Sequence, residues 1–236
     1  MIPGTLYLIP APLGEGDIDW MIPAGVRQCI AKLDHYIVEH PKTARRFLKQ
    51  AGRASLQSIT MRILDEHTHS TEFEGLLEPV LTGRDIGLLS EAGCPAVADP
   101  GAGLVRLAHQ KNIRVVPLVG PSSILLALMA SGLNGQRFVF HGYLPVDHGK
   151  RVSKIVELEK ASILHDQTQI FIETPYRNRK LLDCLIATCR GDTVLCVSSN
   201  LTQESEYIST KAVKQWRHAT PDLNNKPAIF LLHGHG

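Results

Sequence analysis

Residues 88–103, which read LLSEAGCPAVADPGAG, decide the fold of this chain. The apolar start continues a short β-rich run, the middle is a loop of small residues and prolines, and the end has the spacing that opens a helix. A strand, a loop and a helix in this order form the repeating unit of an α/β protein, and open α/β sheets bind ligands at the carboxyl ends of their strands. This loop is therefore the first place to look for a ligand site.

The same alternation of strand and helix extends along the whole chain. Eight short apolar runs predict strands at residues 5–10, 35–39, 85–90, 113–118, 137–143, 168–173, 193–198 and 228–233. Segments with helical spacing separate them, as mostly parallel sheets require. Residues 131–136 interrupt the pattern in mid-chain and favour two α/β domains, at 1–120 and 121–236, each with a mostly parallel central sheet.

Composition excludes several classes of protein. The chain has 236 residues, of which 44% are hydrophobic and 20% charged, which is typical of a soluble globular protein. No apolar run approaches the roughly 18 residues of a membrane span, and the N-terminus lacks the pattern of a signal peptide, so we expect a cytoplasmic protein without a membrane anchor. The five cysteines form no C-x-x-C pair, which favours reduced packing residues. The formal charge of +2 neither requires nor excludes nucleic acid.

Four loops share one chemistry, because they are small, contain proline and carry almost no charge. They lie at residues 10–16, 91–97, 120–123 and 226–228. None has the G-x-x-x-x-G-K-[ST] pattern of a phosphate loop or the G-x-G-x-x-G pattern of a dinucleotide loop. They offer close backbone approach and hydroxyl groups to a flat, largely neutral ligand. Each loop taken alone also fits an ordinary turn.

Five ordered motifs carry a family resemblance. They are TLYLIPAPLG (5–14), VE (38–39) followed by TARRFL (43–48), LSEAGCPAVADPG (89–101), VVPLVGPSS (115–123) and FIETPYR (171–177). In this order they resemble the tetrapyrrole methylase superfamily, and most of all its ribosomal RNA branch, the 16S rRNA cytidine 2′-O-ribose methyltransferases. The resemblance implies two α/β domains with S-adenosylmethionine in the cleft between them, in a homodimer.

The resemblance also implies which residues contact the methyl donor. They are Leu13, Gly93, Cys94, Pro95, Val97, Ser122, Ser123, Ile172, Leu201, Pro227 and Ala228. The donor carries a sulfonium cation, and these loops contain no Lys or Arg before Lys226. The position of Cys94 is commonly Asp or Thr in the family, so the cysteine is a departure that weakens the case for a side-chain hydrogen bond there.

Methyl transfer from a sulfonium is an in-line displacement, and a ribose hydroxyl needs a base. The candidates for this base are His69, Glu39 and Glu72, although each also fits a solvated surface residue. The His67/His69 and His233/His235 pairs lack the further ligands of a metal site, so no metal is predicted.

Acceptor recognition depends on where the cations lie. A helix over 41–51 places Lys42, Arg45, Arg46, Lys49 and Arg53 on one face, with Phe47 and Leu48 turned away. This face is either a phosphate-binding stripe or a solvated surface. Further basic clusters lie at 150–154 and 177–180. The predicted substrate-binding residues are Arg45, Arg46, Lys49, Tyr176 and Arg177, and the predicted partner is RNA of the small ribosomal subunit.

Two departures from the ribosomal RNA branch leave the acceptor open. Glu39-His-Pro-Lys42 replaces the Glu-Asp-Thr-Arg of that branch, and the sequence stops at Gly236, before the extra helical segment common there. Three functions therefore stay in play. They are an S-adenosylmethionine-dependent RNA ribose methyltransferase, a methyltransferase of the same fold acting on a small molecule such as a tetrapyrrole, and a non-catalytic protein that binds the donor or a nucleotide.

Overall fold

The computed structural model describes residues 2–218 and 220–234 and confirms the α/β fold class. Contacts within the chain divide it into two compact units, and the division falls between Ser122 and Ser123, two residues beyond the expected 120/121 boundary. None of the helices in the described ranges combines the length and apolar character that crossing a membrane requires.

The first unit alternates five strands with five helices. The strands are β1 (Thr5–Ile9), β2 (His35–Val38), β3 (Thr60–Ile63), β4 (Ile86–Leu89) and β5 (Arg114–Pro117). The helices are α1 (Ile18–Met21), α2 (Ala24–Lys32), α3 (Pro41–Gln50), α4 (Phe73–Leu81) and α5 (Ala102–Gln110). All strand pairs are parallel, in the order β3-β2-β4-β1-β5. The loops after β1, β2, β4 and β5 therefore leave the same edge of the sheet.

The central strand β4 is buried along its whole length, as the continuous apolar run in the sequence predicts. Gly87 lies in β4 between Tyr7 of β1 and Tyr36 of β2. A Cβ atom at this position would come within 2.6 Å of Ile9 Cδ1 and 3.0 Å of Tyr36 Cδ1, so the glycine lets large side chains pack against the middle of the sheet.

Each face of the first sheet has its own core. Helices α2 and α3 pack on one face, where Ile30, Phe47 and Leu48 join Val38 and Leu89. Helices α4 and α5 pack on the other face, where Leu77 and Leu104 belong to a second cluster. The predicted helix over 41–51 is α3, which begins at Pro41, a residue favoured at the first helical position.

The second unit has a mixed sheet. Its elements are α6 (Ser123–Ser131), β6 (Phe138–Tyr143), α7 (His148–His165), β7 (Thr168–Glu173), α8 (Asn178–Thr188), β8 (Val194–Ser199), β9 (Tyr207–Ala212), α9 (Val213–Trp216) and β10 (Ala228–His233). The strand order is β6-β7-β10-β8-β9, in which β6 and β7 are parallel and the other three pairs are antiparallel. The expectation of a mostly parallel sheet is therefore wrong for this unit. The chain turns directly from β8 into β9 without a crossover helix, and β10 returns antiparallel to both its neighbours.

Candidate functional site

The structure brings together three of the loops that the sequence singled out, those after β1, β4 and β5. Ala11 and Gly93 form a pair of backbone hydrogen bonds, in which the Ala11 N–H donates to Gly93 O (2.9 Å) and the Gly93 N–H to Ala11 O (3.0 Å). The Cys94 thiol lies 3.5 Å from Pro121 O, to which it donates. Direct bonds thus join the first loop to the second and the second to the third.

The loop after β4 is built from unusual backbone conformations. Gly93 has a φ of +73°, and a Cβ atom there would lie 3.3 Å from Leu13 Cδ2 and 3.7 Å from Pro121 O. Ala96 and Ala98 also have left-handed φ values, of 66° and 62°. Each costs about 1 kcal/mol for a residue with a Cβ, and such strain concentrates at ligand sites. The predicted donor contacts Gly93, Cys94, Pro95 and Val97 all belong to this loop.

Carboxylates dominate the electrostatics of this edge of the sheet. Burial raises the pKa of Asp99 to about 6, with further increases from the negative charges of Glu39 and Glu91. Burial and Glu91 also raise the pKa of Glu39, at the carboxyl end of β2. Across the same edge, His40 Nδ1 lies 3.6 Å from Glu91 Oε1. The three joined loops contain no Lys or Arg, so they place no positive side chain of their own beside these carboxylates.

Asp99, whose pKa is raised, was not among the candidates that the sequence analysis singled out. The feature of the sequence that could have pointed to Asp99 is the polar Asp-Pro-Gly end of the loop after β4. The rest of this loop consists mainly of small uncharged residues. Burial also raises the pKa of the Cys94 thiol, which therefore stays neutral at physiological pH and acts as a weak donor.

A cavity of about 500 Å³ lies beside these loops, within the first unit. Its walls come from the loop after β1, from α1, from α3 and from the end of β4. Leu13, Arg46 and Glu91 are among the residues that line it. This volume is in the usual range for small-ligand pockets, so the site has room for more than solvent.

The other predicted base candidates have structural roles or lie at the surface. The Glu72 carboxylate accepts a 3.0 Å hydrogen bond from the backbone N–H of His69 and so caps the short 3-10 turn Ser70–Glu72. The His69 and His67 side chains are both exposed, and His67 Nε2 lies 3.6 Å from Glu66 Oε1. Of the three candidates in the sequence, Glu39 is the one placed beside the partly buried carboxylates Glu91 and Asp99.

The cationic face of α3 is present, but with four members. Lys42, Arg45, Arg46 and Lys49 are exposed, and none of them pairs with a carboxylate of the described residues. Phe47 and Leu48 are buried, as predicted. The prediction was wrong for Arg53, which follows the helix and bonds to Asp34 and to the backbone oxygens of Ala31 and Ser55. Arg53 is a structural clamp because the chain turns after Ala51 and directs this side chain back to the end of α2.

Replacing Arg53 with alanine is expected to lower the free energy of unfolding by about 2 kcal/mol, because several charge-assisted hydrogen bonds are lost. Arg45→Ala is the matched control, since it removes an exposed arginine without such partners. Urea unfolding followed by circular dichroism measures both effects. Equal stability of the two variants contradicts the assignment of Arg53 as a clamp.

The predicted donor contacts of the second unit lie at one edge of its own sheet. Ile172 is near the end of β7, Leu201 follows β8, and Ala228 begins β10 between Glu173 and Ser199. The Asn200 N–H donates to Pro227 O (3.1 Å), which ties the loop after β8 to the start of β10. Asn200 and Thr202 have left-handed φ values of 50° and 70°. Ser123 begins α6, which packs on β9 and β10.

Several predicted cations of the second unit are already paired. Arg177 Nη2 and Nε lie 2.6 and 2.9 Å from Glu173 Oε1, and the Glu173 side chain is buried. The Arg177 guanidinium also lies 5.5 Å from the centre of the Tyr176 ring, which is 70% exposed. In the cluster at 150–154, Arg151 donates to Val146 O and Lys154 pairs with Glu157.

No group of three His, Cys, Asp or Glu side chains in the described ranges is arranged to hold a metal ion. His235 of the predicted His233/His235 pair lies outside those ranges. His233 is buried, and its Nε2 lies 3.3 Å from Asp166 Oδ1.

The chain was compared with protein-family models, with curated proteins and with solved structures. The scan against family models found no match, whereas the other two comparisons found proteins that are named as methyltransferases. The chain is 30% identical over 234 residues to ribosomal RNA small subunit methyltransferase I of Vibrio cholerae, covering 98% of this chain and 77% of the relative. It is 32% identical over 230 residues to the protein of the same name from Streptococcus pyogenes, covering 97% and 76%. Among solved structures, the methyltransferase CobJ has the same fold, with a TM-score of 0.64, 20% identity and coverage of 98% of this chain and 94% of that one.

Proposed function

The chain belongs to the family of ribosomal RNA small subunit methyltransferase I, and we propose that it transfers a methyl group from S-adenosylmethionine to a ribose 2′-hydroxyl of small-subunit ribosomal RNA. The motif resemblance to the tetrapyrrole methylase superfamily is thereby confirmed. The expected homodimer, which rests on that resemblance, and the expected cytoplasmic location, which rests on the sequence pattern, belong to the same proposal.

The junction of the three loops in the first unit carries the donor part of the proposal. Ala11, Gly93, Cys94 and Pro121 bring backbone groups together, and the three loops to which they belong contain no lysine or arginine. When bound, S-adenosylmethionine supplies a methyl group on a positively charged sulfur. Carboxylates and backbone carbonyls favour that charge, whereas a lysine would oppose it. The predicted contacts Leu13, Pro95, Val97, Ser122, Ser123, Ile172, Leu201, Pro227 and Ala228 stay part of the proposal.

Asp99 is the proposed general base. A ribose hydroxyl is a poor nucleophile, so its proton must pass to a base as the oxygen attacks the methyl carbon. A carboxylate whose pKa is about 6 is ionised at pH 7 and still binds a proton more readily than an ordinary aspartate. Glu39 and Glu91 produce part of this rise in pKa, and Glu39 is therefore proposed to tune the base.

The test is transfer of tritium from labelled S-adenosylmethionine to small ribosomal subunits that lack the modification. A 2′-O-methyl group protects the next phosphodiester bond from alkali, so we expect the label in alkali-resistant dinucleotides. Label in ordinary nucleotides would instead indicate a methylated base. Absence of transfer to any RNA, together with transfer to a tetrapyrrole, would overturn the proposal.

A further inference from the structure

An exposed tryptophan lies beside the cavity of the first unit. Trp20 belongs to α1, and its side chain is 84% exposed. Its neighbours on the same short helix, Ile18 and Met21, line the cavity. Arg46, on the cationic face of α3, also lines the cavity, whereas Trp20 itself does not. The two helices that line the cavity therefore also carry an exposed aromatic ring and a row of exposed cations.

The lining of the cavity suits a neutral polar group better than a phosphate. Leu13, Met21 and Phe47 supply apolar walls. The charged lining residues are the two carboxylates Glu15 and Glu91 and one guanidinium, that of Arg46. Carboxylates repel a phosphate but accept hydrogen bonds from the N–H and O–H groups of a base or ribose. The free cations Lys42, Arg45 and Lys49 lie on the exposed face of α3 and are absent from the cavity lining. The cavity thus suits a neutral group, and the exposed face of α3 suits an anion. A nucleic acid strand offers both, because its neutral nucleosides lie between charged phosphates.

We propose, on the premise of the proposed function, that the cavity receives one nucleoside of a single-stranded RNA segment. The cations of α3 hold the phosphates on either side of it, and the Trp20 ring stacks on a neighbouring base. A base held in a duplex cannot enter such a cavity, so the segment must be unpaired or the nucleotide must be extruded. Stacking on aromatic side chains is the usual way in which proteins hold unpaired bases.

Tryptophan fluorescence tests the stacking directly, without any catalytic step. The chain has two tryptophans, and the other, Trp216, is fully buried with its Nε1 donating to Leu195 O (3.0 Å). A short single-stranded RNA of mixed sequence is expected to quench the emission of Trp20. Trp20→Phe removes this response and leaves the Trp216 signal as an internal control. Trp216→Phe retains the response.

Transfer kinetics test whether the stacked base belongs to the substrate. Trp20→Ala is expected to raise KM for the RNA about tenfold or more, with kcat changed by less than about twofold. Trp20→Tyr retains an aromatic ring and is expected to recover most of the affinity. Equal KM values for the alanine variant and the wild type would overturn the inference.

The salt dependence of binding tests the phosphate contacts. For single-stranded RNA, log K falls as log salt rises, and each lost phosphate contact reduces the magnitude of this negative slope by about 0.7. Arg46→Ala is expected to reduce the magnitude of the slope by about this amount. Arg106→Ala is the matched control, because Arg106 is an exposed cation of α5, on the other face of the sheet. Equal slopes for both variants would count against the cavity as the RNA site.

These outcomes separate the inference from the proposed function. If the wild type methylates ribosomal RNA but Trp20 and Arg46 variants keep its KM, the inference fails and the function stands. If the wild type transfers no methyl group to RNA, the function fails. A Trp20 emission shift that follows protein concentration, with no response to RNA, would identify a contact between two copies of the chain and overturn the inference.

Discussion

Asp99→Asn is expected to lower the rate of methyl transfer at saturating donor by at least about 100-fold, the usual contribution of a general base. Asparagine retains the size of the side chain but has no basic oxygen to accept the hydroxyl proton. The measurement is single-turnover transfer from labelled S-adenosylmethionine to the RNA substrate. Calorimetric titration with the donor provides the control, because the variant must still bind it.

The pH dependence of the rate distinguishes Asp99 from Glu39. With the pKa of Asp99 at about 6, the wild-type rate is expected to rise with pH through that value and then level off. Glu39→Gln removes a negative charge that raises the pKa of Asp99, so the rise moves to lower pH. If Glu39→Gln abolishes transfer and Asp99→Asn leaves it intact, Glu39 is the base.

Stability should change in the opposite direction to activity. The pKa of Asp99 is higher in the folded protein than its ordinary value of 3.8, so the folded state binds the proton more tightly and loses stability as pH rises from about 4 to above 6. Asp99→Asn removes this penalty. After allowance for partial exposure to solvent, we expect a gain of roughly 1 kcal/mol at pH 7.5 and none near pH 4. Urea unfolding at the two pH values measures the difference.

Gly120→Ala is expected to weaken donor binding by at least about tenfold. The added Cβ atom would lie 2.4 Å from Cβ and 2.8 Å from Cγ of Pro10, a buried residue whose ring holds its Cβ atom in place. One of the two loops must therefore move, which opens the junction near Ala11 and Pro121. Because the proposed donor contacts are mostly backbone groups of these loops, a shift of about 1 Å is enough to misalign them. Titration calorimetry measures the affinity.

Gly75→Ala is the matched control for this substitution. Gly75 lies in α4, and a Cβ atom there meets no other atom within 4 Å. Alanine is also the better helix former, so the control should bind the donor normally and unfold at equal or higher urea concentration. If Gly120→Ala binds the donor as the control does, the loop junction is not part of the donor site.

The sequence predicted most of the fold because strands buried in the middle of a sheet appear as continuous apolar runs, whether their partners are parallel or antiparallel. All eight predicted strands correspond to observed ones, with ends that differ by a residue or two. It missed β3 and β9, which lie at the edges of their sheets. The β9 sequence YISTKA is rich in polar residues, and β3 has only four residues, so neither has the apolar signal of a central strand. The antiparallel pairs of the second unit were missed because a short turn and a crossover can look alike in sequence.

The sequence predicted those features of the candidate site that follow from residue type. It did not predict the features that depend on how the chain packs. Uncharged loops with proline and glycine pointed to the loops after β1, β4 and β5, which the structure brings together. Partial burial and the nearby carboxylates of Glu39 and Glu91 raise the pKa of Asp99, and a single sequence reveals neither feature for a residue in a loop. Arg53 shows the opposite error. The prediction extended the helical spacing beyond the end of α3 and therefore grouped a structural arginine with the free cations.

Because β10 lies between β7 and β8, the second sheet cannot be completed until β10 has been synthesised. Residues 228–233 fill the gap between β7 and β8, which precede them by tens of residues. Until that segment leaves the ribosomal tunnel, two apolar strands present unpaired edges to each other and to neighbouring nascent chains. All strands of the first sheet have been synthesised by residue 117, so we expect the hydrogen-bonded core of the first unit to form before that of the second.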